Sequence, residues 1–276
     1  MKTAITASLV PAARGGPFVY HDGLADAMRR AEDAGYDAIE IFATSPSDVD
    51  AGELRRLKAA TGLAVAAVGT GAGAVVHGLT ITDPDADARR RAIDYVTQMI
   101  RFGAEHDAPA IIGSMQGRSD AKADNGDRDA TLGRLRDSLD ELGDVAAASG
   151  TTLLYEPLNR YETDLCVTLT DAAALIEPLG EPSGGRVRLL ADLFHMNIEE
   201  SDVAVALRDA GPHIGHVHFV DSNRSAAGLG HTDFGPIAGA LRAIDYGGYL
   251  SVEAFPRPDA ETTAKTTMNT VRRLFG

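Results

Sequence analysis

The feature that most constrains this chain is its alternation. Short apolar runs and helix-patterned segments follow one another from end to end. The runs are Ala4–Leu9, Asp37–Phe42, Leu63–Val68, Ala110–Ile112, Thr151–Tyr155, Val187–Ala191, Ile214–Val220 and Tyr249–Val252. Each is a few residues long and bounded by turn signals, which describes a strand buried on both faces. Between and after them, His21–Gly35, Asp50–Thr61, Asp83–Asp107, Asp127–Ser149, Thr170–Leu179, Ser201–Ala210, Pro236–Asp245 and Ala260–Leu274 carry helical spacing. Gly35, Gly62 and Gly150 close three of these as C-terminal glycines do. Pro84 sits at a favoured first position, and Thr170 is a candidate N-cap. Strict alternation requires a parallel sheet. Eight such units in 276 residues is the size of an α/β fold of the (β/α)8 barrel type. No Pro/Gly/Ser-rich linker or shift in composition divides the chain, so residues 1–276 are expected to form a single barrel domain.

On such a barrel, function sits at the C-terminal ends of the strands. The fifth strand, in TLLYEPLNRYETD, stops at Glu156, and Pro157 closes it because proline cannot donate to a ladder. The sixth, in LLADLFHMNIEE, stops at Asp192; the seventh carries His218 in GHVHFVDSNR; the eighth stops at Glu253 in LSVEAF. A single carboxylate at a strand end reads equally well as a helix cap or a surface ion pair. Four successive ends reading Glu, Asp, His, Glu place three carboxylates and an imidazole on one arc of one rim, where they repel unless a cation joins them. An oxygen-rich set with one nitrogen suits Mn²⁺, Mg²⁺ or Co²⁺ better than a structural zinc.

Charge and composition narrow the partners. Lys and Arg number 26 against 40 Asp and Glu, a net charge of −14. Such a surface repels nucleic acid and anionic membranes, which leaves a small neutral or metal-bound partner. Cys166 is the sole cysteine, so no internal disulfide forms and a reducing compartment is expected. No apolar run approaches membrane-spanning length, and Thr3, Thr6 and Ser8 interrupt the N-terminal apolar patch as in a strand rather than a signal peptide. The expected location is the cytoplasm.

The segments EPLNRYE, ADLFHMNIEE, HVHFVDSNR and VEAF together resemble the sugar isomerase/epimerase superfamily with the xylose-isomerase-like TIM barrel, above all its ketose 3-epimerases (the D-tagatose and D-psicose 3-epimerase group). The resemblance covers essentially the whole chain. It implies one divalent ion, most naturally Mn²⁺, on Glu156, Asp192, His218 and Glu253, with Glu156 and Glu253 also exchanging protons with the substrate. It further implies that Glu162 contacts a terminal hydroxyl of the sugar, that His195 and Arg224 hold sugar oxygens beside the metal, and that the protein is a homo-oligomer, a dimer or tetramer.

The chemistry follows from the residue types. Epimerising a carbon next to a ketone needs removal of its proton and return of one to the other face. A divalent ion acting as a Lewis acid stabilises the enediolate between the two steps. Positioned acid–base groups add about 10²–10⁴-fold. Three carboxylates against one dication leave about one negative charge, which Arg224 offsets. The same enediolate serves an aldose–ketose isomerase, an inosose dehydratase or a 3-oxo-glycoside C–C lyase, and one sequence does not separate these. An endonuclease-IV-type phosphodiesterase shares the barrel, but that class needs further His and Asp ligands. Here the fourth strand ends at Gly113–Ser114, the loop after the seventh reads RSAAGLG, and the charge opposes a phosphate backbone.

Other residues carry weaker expectations. His77 either lines the pocket or caps a loop, and Gln116 offers an amide to sugar hydroxyls. Glu40 reaches the pocket or makes an ion pair lower in the barrel, with the pocket preferred. His216 is expected to point away from the barrel interior in a structural role, Asp233 to cap the next helix, and Cys166 to be an inert buried thiol. GTGAG at Gly69–Gly73 lacks dinucleotide-binding spacing and is read as a flexible turn.

Overall fold

A computed structural model describes residues 1–119, 127–179 and 185–276. The strands close into one barrel in sequence order, β1 to β8, each parallel to its neighbours, with β8 returning to β1. The chain runs β1 (Lys2–Ser8), α1 (Leu24–Asp33), β2 (Ala38–Phe42), α2 (Ala51–Thr61), β3 (Ala64–Gly69), α3 (Ala72–Val75), α4 (Ala86–Ala104) and β4 (Ala110–Ile112). It continues through α5 (Arg128–Ala148), β5 (Leu153–Tyr155), α6 (Leu169–Ile176), β6 (Val187–Asp192), α7 (Leu193–Glu199), α8 (Val203–Asp209), β7 (Ile214–His218), α9 (Phe234–Ala243), β8 (Tyr249–Val252) and α10 (Ala260–Phe275). Among the described residues no helix is long and apolar enough to cross a membrane.

Most of the helices begin on aspartates. Asp50 accepts from the Glu53 amide, Asp85 from Ala88, Asp127 from Ala130, Asp202 from Val205, Asp233 from Gly235 and Asp259 from Thr262. Each satisfies an orphan N–H and complements the positive end of its helix, at roughly 0.5–2 kcal/mol apiece. Part of the acidity of the chain is therefore capping. The cap of α6 is Thr168, accepting from Asp171, rather than Thr170. Asp171 stands three residues past Thr168, where its amide reaches the threonine hydroxyl, and this register buries Leu169 and Ala172.

Strand periodicity sorts the core into two layers. Leu153 and Tyr155, Leu189 and Ala191, Val217, and Leu250 and Val252 face the helical shell and join its continuous apolar core. The alternate positions face the barrel axis, where Ala67, Ile111, Leu154 and Leu190 make a separate small cluster. Each buried Leu or Ile contributes about 1.5–3 kcal/mol relative to exposure. The next inward positions along those strands, two residues on, are the strand ends.

Two short helices, α3 and α7, lie just past strand ends where sequence periodicity was too brief to show them. Gly69 and Gly73 of GTGAG are there for close packing rather than flexibility. A Cβ on Gly69 would stand 2.1 Å from the Phe42 ring, and one on Gly73 would stand 2.5 Å from the Met115 sulfur.

Candidate active site and metal centre

Period two carries the inward face of each strand to its end. Glu156 follows Leu154, Asp192 follows Leu190 and His218 closes β7, while Glu253 comes one residue after β8. All four side chains are buried. Their polar atoms converge on His218 Nδ1, which lies 3.1 Å from Asp192 Oδ2, 3.6 Å from Glu156 Oε1 and 3.8 Å from Glu253 Oε2. Asp192 has two jobs. Its Oδ1 accepts from the amides of Phe194 at 2.7 Å and His195 at 3.2 Å, capping α7, so Oδ2 is left facing the cluster. Glu156 owes its position to Gly113, where a Cβ would stand 2.5 Å from Glu156 Oε2.

Arg224 closes the other side. Its Nη2 pairs with Glu253 Oε2 and lies 3.9 Å from Asp192 Oδ2, and its guanidinium stacks 4.9 Å from the Phe194 ring centroid. The arginine has a left-handed backbone, φ 56°, held by its loop. Asp221 accepts at Oδ1 from the Ser222 and Thr232 amides and at Oδ2 from Gly228. Phe255, two residues past Glu253, donates its amide to the Arg224 carbonyl at 2.8 Å, tying this loop to the end of β8.

His195 faces the cluster from α7. Its Nδ1 is met by the Asn159 backbone amide at 3.2 Å and the Asn159 side-chain amide at 2.7 Å. In the neutral ring those donors place the proton on Nε2, which points toward Glu156 Oε1 at 3.8 Å. Asn159 Nδ2 also donates to Glu162 at 3.0 Å, and Glu162 lies 4.0 Å from Arg224 Nη1 at the outer edge.

Glu156, Glu162, His195, Arg224 and Glu253 line one wall of a cavity of about 480 Å³, within the range of small-molecule sites. The opposite wall is apolar: Val10, Phe18, Phe42 and Val75, with the two phenyl rings 4.3 Å apart.

Burial and crowding shape the titration of the cluster. Burial pushes the Glu253 carboxyl up to about 7, helped by Glu156 and Asp192, against the pull of Arg224 and His218. Burial also raises Asp192, but His195, the His218 hydrogen bond and Arg224 outweigh it and hold its carboxyl below the usual range. Burial disfavours the His218 imidazolium, yet Glu40 and Glu253 drive its pKa well up. Glu253 and the His218 ring thus hold protons more tightly than they would in water, the condition a divalent cation relieves. Two observations fit such a cation here. Buried Glu156 Oε1 and His195 Nε2 have no hydrogen-bond partner, and ligand atoms of Asp192, His218 and Glu253 lie within 4.8 Å of one another, as do those of Glu156, Asp192 and His195.

Four expectations change. Gln116 is buried but occupied: Nε2 donates to the carbonyls of Gly113 at 3.1 Å and Glu156 at 3.0 Å, and Oε1 accepts from the Tyr155 hydroxyl at 2.9 Å. It braces the strand end instead of offering its amide to a ligand. His77 is exposed, edge-on to Tyr95 at 6.0 Å, and is not among the cavity-lining residues. His216 points inward, because positions two apart on a strand share a face; its Nε2 pairs with Glu40 Oε2 at 2.8 Å. Glu40 is fully buried and makes that ion pair lower in the barrel, outside the cavity lining. Cys166 fulfils its expectation: it is buried, and burial pushes its thiol up to about 11.

Asn159, Asp221 and Gly113 are site residues that sequence reasoning missed. Asn159 lies inside the quoted EPLNRYE segment. Gly113 follows β4 directly and Asp221 comes three residues past β7, which was the available signal.

A family model described as xylose isomerase-like TIM barrel matches residues 28–274. The chain is 32% identical over 232 residues to an L-ribulose 3-epimerase of Mesorhizobium japonicum, covering 83% of this chain and 74% of that protein. It is 42% identical over 119 residues to a 3-dehydro-D-guloside 4-epimerase of Escherichia coli, 43% of this chain and 44% of the relative. The fold matches the structure of D-psicose 3-epimerase with D-tagatose from Clostridium cellulolyticum H10 with a TM-score of 0.82 over 99% of both chains at 23% identity. With that model spanning most of its length and the strand-end cluster in place, this chain belongs to the xylose isomerase-like TIM barrel family.

Proposed function

We propose that this protein is a divalent-cation-dependent sugar epimerase that inverts a carbon next to a ketone, with a free ketose inverted at C3 as its substrate. The observation that carries this reading is the placement of Glu156 and Glu253 on strands three places apart, both lining one cavity and both within 4 Å of His218 Nδ1. The relatives named above are epimerases acting on sugars, which supports the same class here.

The residues to hold the cation are Glu156, Asp192, His218 and Glu253, and Mn²⁺ is the best candidate for an oxygen-rich set with one imidazole. When bound, the cation supplies Lewis acidity to the ketone and stabilises the enediolate. The protein does the rest. One glutamate, ionised, takes the proton from the carbon; the other, protonated, returns one to the opposite face. The reverse reaction starts with the two protonation states exchanged. Arg224 balances the carboxylates and keeps Glu253 oriented. His195, its Nδ1 held by Asn159, aims an N–H at a substrate oxygen beside Glu156. Glu162 takes a distal hydroxyl, and Phe18 and Phe42 shield the apolar edge of the sugar.

A second reading is favoured by one feature. One relative, 42% identical over 119 residues, is a 3-dehydro-D-guloside 4-epimerase, which supports a dehydro-glycoside inverted beside its ring ketone. Homo-oligomerisation and a cytoplasmic location belong to the same proposal, and static light scattering tests the first.

The deciding experiment is incubation in D₂O with Mn²⁺ of ketopentoses, ketohexoses and a 3-dehydro-glycoside. The expected product is the C3 epimer of a ketose carrying deuterium at C3. Exchange confined to the dehydro-glycoside establishes the second reading. An aldose product, or loss of a substituent from an inosose or 3-oxo-glycoside, replaces epimerase by isomerase, dehydratase or lyase. A protein indifferent to chelation ends the cation-dependent mechanism.

A further inference from the structure

Beneath the cation-binding cluster lies a second polar layer for which the mechanism has no use. Glu40, on β2, is fully buried, and so are His216 and His218 on β7. Glu40 Oε2 meets His216 Nε2 at 2.8 Å, and Glu40 Oε1 meets His218 Nε2 at 3.1 Å. A carboxylate buried at a barrel axis is costly unless paired, and apolar side chains would fill this layer at less cost. The layer therefore needs an explanation outside stability.

His218 supplies one. A neutral imidazole offers a lone pair only from the nitrogen that carries no proton. Its Nδ1 faces Asp192, Glu156 and Glu253, so the useful tautomer carries its proton on Nε2, the atom that faces Glu40. Ligating histidines generally donate their second N–H to such a partner, which fixes the ring and raises its basicity.

We propose that Glu40 is a positioning residue for the metal centre: it accepts from His218 Nε2 and so holds the ring with Nδ1 unprotonated toward the cluster, while His216 fixes the other Glu40 oxygen. This rests on the cation reading of the site. Glu40, His216 and His218 also lie close enough to form a cation site of their own. However, His218 serves both groups, and the Glu40 contacts are at hydrogen-bond length.

Two measurements test the assignment. In Zn²⁺-loaded wild-type protein, long-range ¹H–¹⁵N spectra of the histidines should show His218 protonated at Nε2 and metal-shifted at Nδ1. The reverse pattern overturns the proposal without any variant having to fold. In calorimetric titrations with Mn²⁺, Glu40→Ala should bind about 10–100-fold more weakly than wild type. Glu40→Gln, which keeps an accepting oxygen, should fall between the two, with thermal melts establishing that both are folded. Affinities equal to wild type in both variants overturn the proposal alone. Wild-type protein that binds no cation overturns the cation reading and this inference with it. Two ions per wild-type chain, falling to one in Glu40→Ala, make Glu40 a ligand and overturn its positioning role.

Discussion

The two halves of the barrel rim have the same backbone geometry and opposite chemistry. At the ends of β5 to β8, or one residue past them, stand Glu156, Asp192, His218 and Glu253, whereas the same positions on β1 to β4 hold Ser8, Phe42, Gly69 and Gly113. One half concentrates charge. The other is small or apolar, and it lines the facing side of the same cavity. The difference teaches a division of labour within one fold: the C-terminal half carries the groups proposed for proton transfer, and the N-terminal half lines the same pocket with small and apolar residues. Proton transfer needs converging groups whose repulsion must be managed, so it is built from buried, mutually paired side chains. Shape needs only volume, so glycine and phenylalanine suffice.

That division can be broken first where it is strongest. Glu156→Gln and Glu253→Gln remove acid–base groups while keeping their volume, and each should lower kcat by at least about 10³-fold. Steady-state kinetics check this, and a glutamine variant near the wild-type rate would move proton transfer elsewhere. Gly113→Ala crosses the divide, because a shape residue then disturbs a chemical one. With a Cβ 2.5 Å from Glu156 Oε2, the carboxylate must shift, and kcat should fall by roughly 10²-fold, with smaller loss of cation affinity in calorimetry. Phe42→Ala stays within the shape half and should change kcat/KM among substrates by about 10-fold while leaving cation affinity intact. A large fall in kcat for every substrate alike would mean that the phenyl wall takes part in the chemistry.

The smallest effect concerns the loop that carries Arg224. Burial raises Asp221, but the amides of Thr232, Gly228, Ser222 and Gly230 more than offset it, so its carboxyl titrates below the usual value. A depressed folded-state pKa stabilises above the unfolded value, about 3.9, and that contribution disappears as pH falls through the folded value. Asp221→Asn should therefore be less stable than wild type by about 1.5–3 kcal/mol at neutral pH. The gap should narrow as the pH drops below about 4. Denaturant melts across pH check it, and a gap independent of pH would mean that the charge is not what anchors the loop.

Much of this was legible in the sequence, for reasons of geometry. Alternation fixes the strand order of a closed barrel, and period two fixes which strand-end side chains face inward, so Glu156, Asp192, His218 and Glu253 could be grouped without coordinates. The same period places His216 inside, two residues from His218; the sequence held that answer and the outward expectation misapplied it. Glu40 was less accessible. Its partners stand 176 and 178 positions away, and nothing local says whether an inward carboxylate reaches the cavity or stops below it. Gln116 and His77 illustrate a further limit. Both follow strand ends, yet one is spent on neighbouring carbonyls and the other is carried to the surface by α3, a helix too short to register as a pattern.

The bond between Glu40 and His216 also has a consequence for how the chain assembles. It joins the second strand to the seventh, so it cannot form until nearly all of the polypeptide has been placed. Until then the carboxylate has no partner and must remain in water, which keeps the first strands from sealing into a dry core by themselves. Contacts of such high sequence separation form late and slow the search. Completion of the layer under His218 thus waits for the seventh strand, and a chain that lacks its last two strands has neither His216 nor His218 to pair with Glu40.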